Sequence, residues 1–108
     1  MLTAAAAALS LAFAHGAIAA GKPEAGKAKA AQVCAACHGA DGAKPSAPDQ
    51  PILAGQYYDY LVKALPDYKS GKRNNPIMKG FVANLSPQDI EDLAAWFSSQ
   101  KSNLHFQR

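Results

Sequence analysis

The stretch VCAACHGADG, residues 33–42, holds the chain's only two cysteines, Cys34 and Cys37, with His38 directly after the second. A C-x-x-C pair serves four chemistries: a redox disulfide, half of a zinc site, a local staple, or covalent attachment of haem. The choice among them decides the fold, because only the last brings a bulky cofactor into the interior. The remaining sequence supplies the tests.

With 108 residues the chain is expected to form one domain. Its opening, MLTAAAAALSLAFAHGAIAA, contains no Lys, Arg, Asp or Glu; all 11 basic and all 8 acidic residues come later. An apolar run closing on Ala17-Ile18-Ala19 fits a secretory signal peptide with an A-x-A cleavage site. Met1-Leu2-Thr3 supplies only the α-amino group where such a leader carries positive side chains. A membrane anchor is the competing reading. The Ala-rich run, interrupted by His15 and Gly16, is shorter than the ~20 apolar residues a span needs. Residues 1–19 are therefore expected to be removed, leaving residues 20–108 as the mature domain with no stable membrane insertion.

So small a domain struggles to bury enough apolar surface unless a disulfide, metal or cofactor assists. Cysteines three apart close a loop too short to constrain the unfolded chain much, so a staple explains little. A buried cofactor would complete the core. The net charge of +3 comes with scattered lysines and gives no nucleic-acid footprint; the cluster KSGKR at 69–73 reads as a solvated helix end.

Three helical stretches alternate with loops rich in Pro and Gly, which makes the expected class all-α. The first runs from Glu24 to Cys37, and i, i+3 and i+4 spacing would put Cys34, Cys37 and His38 on one face. An irregular loop with Pro45, Pro48 and Pro51 follows. The second helix starts near Gln56, with Tyr57, Tyr58, Leu61, Val62 and Leu65 as its stripe. Pro66 should end or kink it, Gly71 marks a stop, and KRNNPIMKGFVANL reads as irregular. The last helix has Ser86 as N-cap, Pro87 at its first position and Asp89 at its third, with Ile90, Leu93, Ala94 and Phe97 as its apolar face. The tail KSNLHFQR lacks a pattern.

Zinc needs about four ligands, and beyond Cys34, Cys37 and His38 the mature chain offers only His105 in the tail or a carboxylate. A redox C-x-x-C pair expects a βαβ setting, absent from so helical a pattern. Haem attachment accounts for every feature: two thiols one helical turn apart for two vinyl groups, and an adjacent imidazole for the iron. For the sixth iron position the mature chain offers one methionine, Met78, in a polar loop free to cross the opposite haem face. A lone Met as core filler is the bland alternative, and His105 is the rival ligand. Thioether and imidazole together raise the reduction potential.

The segments CAACHGADG, PILAGQYYDYL, NPIMKGF and LSPQDIEDLAAWF, in this order and spacing, resemble the class I c-type cytochromes. The likeness is to the short bacterial single-haem forms and to one half of their two-haem tandem relatives. The resemblance implies a small fold of three main helices and irregular loops around one haem c. Cys34 and Cys37 would form the thioethers, with His38 as proximal and Met78 as distal ligand. The Pro51 carbonyl would accept a hydrogen bond from His38, and Gly26 would meet Trp96 where the first and last helices cross. Leu53, Tyr57, Leu61, Leu65 and Leu93 would be pocket walls.

The expected function is that of an exported, periplasmic carrier that moves single electrons between redox proteins, such as a quinol-oxidising complex and a terminal oxidase. No residue is assigned to acid–base or nucleophilic catalysis. Lys44, Lys72, Arg73 and Lys79 are candidate rim charges for weak docking. Two alternatives stand beside it: a haem enzyme or gas-binding protein with an open iron site, and the electron-entry subunit of a dehydrogenase.

Overall fold

The computed structural model describes residues 20–101, and among these every regular element is a helix. In chain order they are α1 (Pro23–Val33), α2 (Ala35–His38), α3 (Tyr58–Ser70), α4 (Pro76–Val82) and α5 (Pro87–Ser98). The leader assigned to residues 1–19 and the tail histidine His105 lie outside the described residues. No helix among the described residues is long and apolar enough to cross a membrane.

The terminal helices form the frame. On α5, the Ser86 hydroxyl accepts from the Asp89 N–H while the Asp89 carboxylate accepts from the Ser86 N–H, a reciprocal cap that satisfies two otherwise orphaned donors. Lys29 on α1 adds an ion pair with Asp89 at 3.7 Å. These contacts hold the Asp89 carboxyl below the usual carboxylate range, the hydrogen bond from the Ser86 backbone contributing most. Gly26 makes the crossing possible, since a Cβ there would fall on the Asp92 carbonyl and 2.9 Å from the Trp96 Cβ. Buried Asp92 accepts from the Lys22 N–H at 2.9 Å and so ties the start of α1 to α5. Helix α3 packs on α5 and on α4. Ala30, Leu61, Val82, Leu85, Leu93 and Phe97 form the core between them.

Three elements differ from the sequence expectation. The first helix does not run through Cys37: α1 ends at Val33, Cys34 takes φ −106° and ψ −30°, and α2 is a separate turn. Pro66 does not end the middle helix, which continues to Ser70 and stops where Gly71 adopts the left-handed φ of 83°. Pro66 is exposed, so the carbonyl its missing N–H leaves unpaired can reach water, while Leu61, Ala64 and Tyr68 bury the other face. Finally, NNPIMKGFVANL is not irregular. Asn75 caps α4 by accepting from the Ile77 and Met78 N–H groups, and Pro76 occupies the first turn where its missing donor costs nothing.

Candidate functional site

The loop between α2 and α3 brings His38 against Pro51. It is pinned at both ends, with Ser46 N–H donating to Cys37 O (2.8 Å), Leu53 N–H to Gly42 O (2.8 Å) and Gly55 N–H to Phe97 O (2.9 Å). Trp96 Nε1 donates to Ala40 O at 3.0 Å and fastens the loop's start to α5. Within this frame His38 is 5% exposed, and its Nδ1 lies 2.9 Å from the Pro51 carbonyl oxygen. An imidazole nitrogen facing a carbonyl carries the proton, which leaves Nε2 as the lone-pair nitrogen.

His38 lines a cavity whose wall also holds Cys34, Cys37, Leu53, Leu61, Leu65, Leu93 and Met78. The space open to the centre of a water-sized sphere is about 200 Å³, against the ~10–15 Å³ that holds one water. Two cysteines and a histidine enter from α2 and the residue before it, leucines from α3 and α5, and a thioether from α4. Pro51 is in the lining too, but Tyr57 is not. It is 46% exposed and serves as N-cap of α3 with φ −63° and ψ 135°. That extended backbone takes it off the helical face that Leu61 and Leu65 share. Tyr60, Ala64 and Tyr68 line the cavity instead. Their signal was the i, i+4 spacing 60–64–68 within α3. Of the rim cations named from sequence, Lys44, Lys72, Arg73 and Lys79 are all exposed, and Arg73 alone also lines the cavity.

The donor set discriminates among the chemistries open to a C-x-x-C pair. Burial pushes the Cys34 thiol up to about 11. A redox pair works through a thiolate, whose setting lowers the pKa, and burial here acts in the opposite direction. Among the described residues no group of three or more His, Cys, Asp or Glu side chains is placed to hold a metal ion. A neutral thiol facing an apolar cavity suits bonding to an apolar partner, and the lone imidazole nitrogen and thioether suit a single iron centre. The residues fit haem.

The family model for cytochrome c matches residues 23–101. The chain belongs to the cytochrome c family. Members carry haem c covalently through a pair of cysteines, and in this cytochrome the pair is Cys34 and Cys37. The chain is 56% identical to cytochrome c4 of Pseudomonas aeruginosa over 86 residues, 80% of this chain and 42% of that protein. A protein of Stutzerimonas stutzeri named thiosulfate dehydrogenase electron acceptor is 46% identical over 66 residues, 61% of this chain and 31% of its own. The crystal structure of reduced cytochrome c4 from Pseudomonas stutzeri superposes with a TM-score of 0.71 at 47% identity, covering 79% of this chain and 48% of that one. The helical architecture is thus that of a class I cytochrome c. The chain spans about half the length of the cytochromes c4 it matches.

Proposed function

We propose that this chain is an exported electron carrier whose single haem c is ligated by His38 and Met78. The haem supplies one-electron chemistry at its iron. The observation that carries the reading is the convergence of the fixed His38 imidazole and the Met78 thioether on one cavity that Cys34 and Cys37 also line. The Pro51 carbonyl fixes the His38 ring and makes its lone-pair nitrogen more electron-rich, as partners of ligating histidines do. Met78 would be the second side chain to hold the iron and would keep small ligands out. The leucines of α3 and α5 exclude water, which with the thioether favours reduced iron. The reading assigns no acid–base or nucleophilic step to any side chain in the lining. Export rests on the leader-like residues 1–19 and implies a periplasmic mature domain of residues 20–108. Quinol-oxidising complexes and terminal oxidases are its proposed donors and acceptors.

A second reading is favoured by one finding. The likeness to a thiosulfate dehydrogenase electron acceptor supports a chain that takes electrons directly from a dehydrogenase, as acceptor or electron-entry subunit. Both readings predict the same iron site. The test is the near-infrared spectrum of the oxidised protein: the weak thioether-to-iron charge-transfer band is expected, and its absence contradicts Met78 as ligand and favours an open-site enzyme or gas sensor.

A further inference from the structure

Helix α4 carries Met78, yet its polar contacts are almost all with itself. At its start the Asn75 side chain accepts from the Ile77 and Met78 N–H groups at 3.1 Å each, and the Lys79 N–H donates to the Asn75 carbonyl at 2.9 Å. After its end the Leu85 N–H donates to the Val82 carbonyl at 3.1 Å. None of these bonds reaches another helix. From Asn75 to Leu85 the described residues show one hydrogen bond to the rest of the fold: Lys69 Nζ, on α3, donates to the Leu85 carbonyl at 2.7 Å.

That bond sits where it governs the whole segment. Leu85 and Val82 are buried and line the cavity together with Met78, so the carbonyl gripped by Lys69 belongs to a residue seated in the same wall. Lys69 is itself exposed and stands outside that wall. It therefore acts on the backbone and not on the group that fills the cavity. A helix of seven residues has little stability of its own, and Ile77 and Phe81 leave its outer face exposed. A charged donor makes a stronger bond than a neutral one, which suits a single tie. We propose that Lys69 is a positioning residue that holds α4 closed over the cavity and so keeps the Met78 thioether at the iron. Without the bond, α4 and the turn to Leu85 swing away more often, and the sixth position opens with them. This rests on Met78 as the sixth ligand.

The test uses the reduced holoprotein and its Lys69→Leu, Lys69→Arg and Lys72→Gln variants. Two quantities are read: the rate of carbon monoxide binding, and the hydrogen exchange of the amides of α4 and α1. Lys69→Leu keeps most of the stem and removes the donor. Loss of a charged hydrogen bond should speed both carbon monoxide binding and α4 exchange roughly tenfold, with α1 unchanged, because the opening is local. Lys69→Arg can still donate and should stay near wild type. Lys72→Gln removes an equal charge three residues away and should also stay near wild type. Wild-type rates in Lys69→Leu overturn the proposal, as does an equal acceleration in Lys72→Gln or in Lys69→Arg. Exchange that quickens alike in α1 and α4 overturns it too, since the loss would then be one of general stability. The near-infrared band of the oxidised wild-type protein reports the iron ligation separately: its absence refutes Met78 as ligand, whereas the α4 exchange of Lys69→Leu still reads the tie.

Discussion

Gly26→Ala is expected to destabilise the protein although alanine is the better helix former. The added Cβ meets the Asp92 carbonyl and lies 2.9 Å from the Trp96 Cβ, where carbon–carbon contacts relax to ~3.5–4.0 Å. Neither atom is the tip of a flexible side chain, so α1 and α5 must separate by several tenths of an ångström or more along their whole crossing. Overpacking of this kind costs about 1–3 kcal/mol, and the alanine returns about 0.8–1 kcal/mol of helix propensity. The clash with backbone places the cost at the upper end, for a net loss of about 2 kcal/mol. Gly80→Ala in α4 is the control, because a Cβ there meets nothing within 4 Å; it should gain about 0.5–1 kcal/mol. Guanidinium unfolding of the oxidised holoproteins reads both as shifts in midpoint at unchanged slope. If Gly26→Ala is as stable as wild type, or moves in the same direction as Gly80→Ala, the close crossing of α1 and α5 is refuted.

Changing Cys34 and Cys37 together to alanine should leave the chain without haem and largely unfolded by far-ultraviolet circular dichroism, because the leucines around the cavity lose the group they pack on; native helix content without haem would contradict this. Asp89→Asn should cost about 0.5–1 kcal/mol at neutral pH, since a carboxylate at a helix N-terminus is stabilising. The Asp89 carboxyl titrates below its ordinary value in the folded protein, so its contribution is full above the ordinary carboxylate pKa and is lost as pH falls through the depressed one. The gap between variant and wild type should therefore close in acid, and a constant gap would refute the assignment.

Helix α5 was legible residue by residue, because its cap, its N-terminal proline and its apolar face are all local features. Cys34, Cys37 and His38 stand out for a similar reason: their spacing is a chemical signature that needs no tertiary information. The break at Cys34 left no such mark, as Val33 and Ala35 would continue a helix equally well. It arises where the chain turns to present both thiols and the imidazole to one cavity. Helix α4 did carry a signal, Asn75 followed by Pro76, but the surrounding polar residues masked seven residues of helix. Pro66 and Tyr57 show the limits of pattern in opposite ways. At Pro66 the buried face of α3 outweighed a local penalty, and at Tyr57 an apolar stripe was extended one residue past the point where the helix begins. The contact of Arg73 with the Tyr68 ring was beyond reach from sequence, since it depends on the turn that follows α3.

Exposure of the reduced protein to carbon monoxide at neutral pH tests the central claim most directly. If the Met78 sulfur occupies the sixth iron position, the wild-type spectrum should resist change, because the gas must first displace a bound side chain. Met78→Leu, of similar volume and so gentle on the packing, should bind the gas readily and show a lower potential, the loss of a ligand that favours ferrous iron setting the sign. Immediate binding by the wild-type protein, with Met78→Leu no different, would contradict the carrier reading and place an open iron site in this cavity.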